Sequence, residues 1–190
     1  MNPMRFRLRA NGEEMPLIIP ADQVESAILP SAEHEAGHIT AAHHLSARVL
    51  GIAVGVVSNG TQGQWILQAV YSWKGSTIED KCVAKAAGVA ADLFFHGEFD
   101  KEGAKRDLED IQRLSGETSF DLYLEPARKI IALRERECKC VANALRHEIG
   151  LDVERTLNVY PGKDVATFLL DEARLLRYLS APSGQSAPLP

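Results

Sequence analysis

The sequence predicts a mainly helical α+β fold with a small β-hairpin or sheet. Most of the chain after residue 30 has apolar residues at helical spacing, set between capping residues and glycine stops. Two β-branched stretches, residues 49–58 and 64–71, flank a turn-prone segment. The 190 residues, 45% of them hydrophobic, are enough for one core and few for two domains.

The chain divides into three parts in this interpretation. We expect an N-terminal extension over residues 1–29, one domain over residues 30–180, and a disordered tail over residues 181–190. The tail, APSGQSAPLP, is rich in proline and serine and has no periodicity, which is typical of disorder.

The first predicted helix carries a histidine-rich segment, residues 33–45 (EHEAGHITAAHHL). Pro30 and Ser31 form a typical helix opening, and we expect Ser31 to be the N-cap. The β-hairpin follows, and its turn is expected at residues 59–63 (NGTQG).

Four more helices are predicted from their caps and their stops. The first runs from a capping box at Ser76 and Glu79 to Phe95, with a stop at Gly97. The second runs from Ala104 to Leu114 and ends at Gly116. The third runs from Pro126 to His147, and the fourth from a cap at Asp164 to Leu179.

Composition argues against several classes of function. The formal net charge of −5 disfavours a nucleic-acid partner. The longest apolar run, residues 83–91, is interrupted by Lys85 and falls far short of the about 20 residues that a membrane span needs. No apolar region follows Arg5, Arg7 and Arg9, and three cysteines fit a reducing compartment. We therefore expect a cytoplasmic protein with no membrane span.

The residues His34-Glu35-Ala36-Gly37-His38 form an H-E-x-x-H pattern on the first helix. At about 100° per residue the two histidines lie on one face and one turn apart, as a single zinc ion requires. Glu35 lies close to that ion and can act as the general base on its water. Small residues, among them Gly37, indicate that another helix packs closely here.

A catalytic zinc ion usually takes three protein ligands, and His44 is one candidate for the third. His44 stands at the last position of the metzincin pattern H-E-x-x-H-x-x-G-x-x-H. However, Ala41 replaces the glycine that lets the chain turn back, so the helix is expected to continue. In a continued helix His44 points about 100° away from the direction that His34 and His38 share.

Asp107 is the other candidate. On a helical wheel it lies within the apolar stripe of the third helix, which contains Ala104, Leu108, Ile111 and Leu114. An inward-facing carboxylate needs a partner, and a cation is the natural one. A buried arginine or a helix cap is the competing explanation.

Taken together, these segments resemble the peptidase domain of the FtsH family of AAA-linked zinc metalloproteases. The similarity covers about residues 30–180 and includes the hairpin and the helix AAGVAADLFFHGE. It is most specific in HEAGH and in the G-A-x-x-D-L segment from Gly103 to Leu108.

The resemblance implies a helical zincin-like fold of the FtsH type. It also implies one zinc ion per chain, bound by His34, His38 and Asp107, with Glu35 as the catalytic acid/base. FtsH-type proteins carry an ATPase module before this domain, whereas about 30 residues precede it here and no G-x-x-x-x-G-K-[ST] loop is present. We therefore expect a stand-alone peptidase domain, and the family suggests homo-oligomers.

Two classes of function remain at this stage. The first is a zinc-dependent endopeptidase that acts on polypeptides without ATP of its own, with Glu35 as general base. The second is a non-proteolytic zinc-containing binding module, or an accessory subunit that works with a separate ATPase. The intact Glu35 favours the first class, because a structural zinc site has no use for it.

Overall fold

The computed structural model describes residues 1–10, 13–58, 63–158 and 165–180. The tail at residues 181–190 and most of the predicted hairpin turn lie outside these ranges. The described strands are β1 (Met4–Ala10), β2 (Glu13–Ile19), β3 (Arg48–Ser58), β4 (Gly63–Ser72), β5 (Glu154–Asn158) and β6 (Val165–Asp171). The described helices are α1 (Ala21–Gln23), α2 (Ala32–His44), α3 (Ile78–His96), α4 (Lys105–Ser115), α5 (Asp121–Leu133), α6 (Glu135–Gly150) and α7 (Glu172–Leu179).

The strands form one mixed sheet in the order β2-β1-β5-β6-β3-β4. It consists of two three-stranded halves, joined where β5 and β6 pair through Asn158 and Ala166. In the first half β1 pairs antiparallel with β2 and parallel with β5. In the second half β3 lies between β4 and β6, antiparallel to both. Strand β4 is therefore an edge of the sheet.

The mixed α/β class and the β3–β4 hairpin are confirmed, but the sheet is larger than the predicted one. Residues 165–171, predicted to begin the last helix, form β6, and only Glu172–Leu179 is helical. Asp171, not Asp164, caps α7 by accepting a hydrogen bond from the Arg174 N–H at 2.9 Å. Asp164 itself lies outside the described residues. An apolar stretch such as VATFLL fits a strand or a helix, and here its pairing with β3 decides.

The first 29 residues, treated above as an extension, share the core of the domain. Their buried side chains are each at most 1% exposed; they are Met4, Phe6, Ile19, Val24 and Ile28. Strand β1 supplies two of them and lies inside the sheet rather than at its edge.

Ser31 is the N-cap residue of α2, as predicted, but its side chain makes no capping hydrogen bond. The chain enters α2 through a π-helical turn, Val24–Ile28, and a 3₁₀ turn, Leu29–Ser31, so it is already helical before Ser31. The Ser31 hydroxyl donates instead to the Ala27 carbonyl at 3.3 Å.

The capping box of α3 exists, but one residue later than predicted. The Thr77 hydroxyl accepts a hydrogen bond from the Asp80 N–H at 3.0 Å, and the Thr77 N–H donates to the Asp80 carboxylate at 3.1 Å. Gly97 ends α3 in the left-handed conformation, as expected.

The helix predicted from Pro126 to His147 is two helices, α5 and α6, which meet at Arg134. Pro126 lies inside α5 rather than at its start. Pro126 has no N–H to donate to the carbonyl of Leu122 one turn earlier, and Leu122 is 61% exposed in the first turn of α5.

Helices α2 and α3 pack at very short range. A Cβ atom added at Gly37 would lie 2.5 Å from the Ala87 carbonyl oxygen and 2.7 Å from the Ala91 Cβ. The predicted close helix is thus α3, and only glycine fits at this crossing. None of the helices in the described part of the chain is both long and apolar enough to span a bilayer.

Candidate metal centre

Three donor atoms from two helices converge beside α3. The Asp107 Oδ2 atom on α4 lies 3.0 Å from His34 Nε2 and 3.0 Å from His38 Nε2, both on α2. His38 and Asp107 are 4% and 7% exposed, so the cluster is shielded from bulk water. The three residues predicted as ligands are therefore brought together in the structure.

The spacing and chemistry of these donors fit a zinc ion. Zinc–nitrogen and zinc–oxygen bonds of about 2.0–2.2 Å place neighbouring tetrahedral ligands about 3.4 Å apart. The observed 3.0 Å separations are slightly shorter than this value. Two imidazole nitrogens and one carboxylate oxygen form a typical three-residue set for a catalytic zinc.

Helix α3 orients both histidine rings. The His38 Nδ1–H donates to the Ala84 carbonyl at 2.8 Å, which directs Nε2 toward Asp107. His34 Nδ1 lies 2.7 Å from the Asp92 carboxylate. Such outer hydrogen bonds fix the tautomer and raise the basicity of metal-binding histidines.

A proton competes with a metal ion for His34. Burial lowers the pKa of His34, but hydrogen bonds with Asp107 and Asp92 outweigh it and raise this pKa to about 10. A doubly protonated His34 between two carboxylates is thus stable at neutral pH. An ion that binds at Nε2 has to displace that proton.

Lys85 is a further charge at the cluster. Its Nζ atom lies 3.3 Å from Asp107 Oδ1 and 2.7 Å from Asp110 Oδ2. Burial raises the pKa of Asp107, but the charge of His38, the hydrogen bonds with both histidines and Lys85 hold it well below its usual range. Asp107 therefore stays ionised, with Oδ1 on the lysine and Oδ2 toward the imidazoles.

Glu35 lies beside the histidines without being one of the three donors described above. One ligand atom each of His34, Glu35 and His38 lie within 4.8 Å of one another, so Glu35 is close enough to compete for an ion. Its Oε2 atom, however, accepts a hydrogen bond from the Ala69 N–H of β4 at 2.5 Å. Asp107 Oδ2, by contrast, contacts both Nε2 atoms. Burial raises the pKa of Glu35, while His38 and His34 lower it, and the net shift is upward.

His44 is not part of the cluster. Its Nδ1 accepts a hydrogen bond from Arg134 Nε at 3.3 Å, and with Arg134 and Glu137 it lines a small pocket. The continued helix that the sequence predicts accounts for this direction.

Sequence reasoning missed Asp92, Ala84 and Lys85 as neighbours of the ligands. Lys85 could have been recognised in the sequence, because it is the charged residue that interrupts the apolar run of α3. The role of the Ala84 carbonyl could not be recognised in the sequence, since every residue carries a backbone carbonyl.

Gly88→Ala is expected to block metal binding. A Cβ atom at this position would lie 2.4 Å from His34 Nε2 and 2.6 Å from His38 Nε2, where an ion would bind. Loss of an outer-shell partner lowers metal affinity about 10–100-fold, and we expect Gly88→Ala to lower zinc affinity at least as much. Zinc competition titration measures it. Gly150→Ala is the control, because a Cβ there meets nothing within 4 Å. Wild-type affinity in Gly88→Ala would show that the two nitrogens do not face an ion.

Comparison with protein-family models gives no match for this chain, and comparison with curated proteins gives none either.

Proposed function

We propose that the protein is a zinc-dependent endopeptidase with an FtsH-type peptidase fold, which hydrolyses peptide bonds without ATP of its own. The observation that carries the proposal is the convergence of Asp107 Oδ2 on both Nε2 atoms, at 3.0 Å from each, with Glu35 beside them. A three-residue donor set leaves one position for water, which is typical of catalytic rather than structural zinc.

The proposed chemistry needs one metal ion and one carboxylate. A zinc ion held by His34, His38 and Asp107 would supply a polarised scissile carbonyl and a water of lowered pKa. Glu35 takes a proton from that water as the oxygen bonds to the carbonyl carbon. The carbon–nitrogen bond then breaks, and Glu35 returns the proton to the leaving amine. Its buried position, which raises its pKa, suits a group that both accepts and donates a proton.

We further propose that an extended polypeptide binds along the edge strand β4. The Ala69 N–H donates to Glu35, so this amide lies on the side of β4 that has no neighbouring strand among the described residues, beside the cluster. Backbone groups two residues away on the same strand share this direction. Pairing through main-chain hydrogen bonds would favour unfolded chains with weak sequence preference. A bound chain would compete for the Ala69 amide and release Glu35.

Two observations favour the non-proteolytic alternative. Glu35 already has a hydrogen-bond partner in Ala69, and His34 is already neutralised by two carboxylates. A binding module or an accessory subunit of a separate ATPase would keep such a cluster without turnover. Stoichiometric zinc without cleavage supports the module, and cleavage only after addition of an ATPase supports the subunit.

Metal removal tests the proposed function directly. The purified protein is expected to contain one zinc ion per chain by mass spectrometry and to cleave an unfolded casein-like substrate. Treatment with a zinc chelator should stop cleavage, because the carbonyl and the water lose their activating ion. Added zinc should restore it. Cleavage that continues in metal-free protein would refute the proposal.

A further inference from the structure

Tyr71 on β4 has a buried hydroxyl group without a partner. The oxygen is shielded from solvent and makes no hydrogen bond within the described part of the chain. Most buried phenols have a partner, because an unpaired buried donor destabilises the fold. An unpaired group in this position therefore calls for a ligand-dependent explanation.

The position of Tyr71 links it to the candidate site. It lies on the same strand two residues beyond Ala69, whose N–H donates to Glu35. Its ring packs against a small cluster that contains Ala84, whose carbonyl holds His38. The ring also makes an edge contact with Trp73, at 5.7 Å between centroids, which fixes its direction.

The charged groups around the Tyr71 hydroxyl are those of the site. Burial raises its pKa, Lys85 lowers it, and Asp107, Glu35 and Asp110 raise it, to about 12 in all. The phenol thus stays protonated at neutral pH and is a hydrogen-bond donor.

The other donors of the site already have acceptors. Lys85 contacts Asp107 and Asp110, and the Nδ1 atoms of the two histidines face Asp92 and Ala84. Among the side chains named here, all from the described ranges, Tyr71 is the donor that still lacks an acceptor. Peptide hydrolysis needs such a donor, because the carbonyl oxygen becomes negative as water adds to the carbon.

We propose that the Tyr71 hydroxyl donates a hydrogen bond to the scissile carbonyl oxygen as that oxygen gains negative charge. The inference rests on the proposed endopeptidase function. The role of Tyr71 is catalytic, because its hydrogen bond to the carbonyl oxygen is weak in the bound substrate and strong in the transition state.

Tyr71→Phe tests this role. We expect kcat on a fluorogenic peptide to fall about 10²–10³-fold, as when an oxyanion-hole donor is removed, with KM and zinc content unchanged. Affinity for a peptide phosphinate, which imitates the tetrahedral state, should weaken by a similar factor. Affinity for an uncleaved peptide, measured in Glu35→Gln protein, should not change. Tm should stay the same or rise, because the substitution removes an unpaired buried hydroxyl.

The control is Tyr178→Phe on α7, which should match the wild type in every measurement. Unchanged kcat and phosphinate affinity in Tyr71→Phe, with an active wild type, would overturn the role of Tyr71 alone. A clear drop in Tm would also overturn it, because the hydroxyl would then have a structural partner. A wild type without zinc-dependent cleavage would overturn both this inference and the proposed function.

Discussion

Glu35→Gln is expected to abolish peptide hydrolysis and to leave zinc bound. A glutamine amide cannot take a proton from water, and loss of a general base costs about 10²–10⁴-fold in rate. The side chain keeps its shape, and its carbonyl oxygen can still accept the Ala69 N–H. The three proposed ligands are untouched, so zinc per chain should equal that of the wild type. Measurement of kcat/KM on a fluorogenic peptide, together with metal analysis, tests both halves of this expectation.

Glu33→Gln is the matched control, on the same helix and with the same change of charge. Glu33 pairs with Arg146, at 2.6 Å for the shorter contact, and with His96 at 3.7 Å, rather than with His34 or His38. Its replacement should leave kcat/KM unchanged. Undiminished hydrolysis in the Glu35 variant would rule out the proposed general base.

Asp107→Asn is expected to release the metal ion. The amide has nearly the volume of the carboxylate, but it has lost the negative charge that faces both imidazoles at 3.0 Å. Loss of an outer-shell partner lowers metal affinity about 10–100-fold, and we expect the loss of a direct ligand in Asp107→Asn to lower zinc affinity more than this. Competition with a chromophoric chelator gives the affinity, and dialysis followed by metal analysis gives the occupancy.

Two controls separate Asp107 from its rivals. Asp110→Asn changes the neighbouring carboxylate, which contacts Lys85 and Arg113 instead of a histidine, and should keep zinc. His44→Ala removes the metzincin-type candidate and should also keep zinc. Tight zinc binding in Asp107→Asn, or metal loss in His44→Ala, would mean that the third ligand is wrongly assigned.

The elements with strong local signals could be predicted from the sequence. The hairpin and the helices α2, α3 and α4 follow from capping residues, glycine stops and periodicity, with errors of one or two residues at their ends. Strand β1 alternates arginines with buried Met4 and Phe6, a pattern that is typical of a strand although these residues were predicted to form an extension. Strand β6 could not be read in this way, because an apolar run becomes a strand only through its pairing with β3.

One part of the candidate site could be predicted from the sequence, and another part could not. Spacing within one helix predicts His34 and His38, and the apolar stripe of α4 predicts Asp107 as an inward carboxylate. The contacts of Asp92, Ala84 and other α3 groups depend on how close two helices approach, which is a tertiary property. The zinc ion, the peptidase activity and the FtsH resemblance stay predictions until they are measured.

The placement of β1 next to β5 has a consequence for biosynthesis. The two strands are separated by most of the chain, so β1 leaves the ribosome long before its parallel neighbour exists. Until then the nascent pair of β1 and β2 presents the bare edge of β1 to other chains, which is a hazard for aggregation. Arg5, Arg7 and Arg9 line the outer face of this strand and are each at least half exposed, so their charge repels a second strand of the same kind.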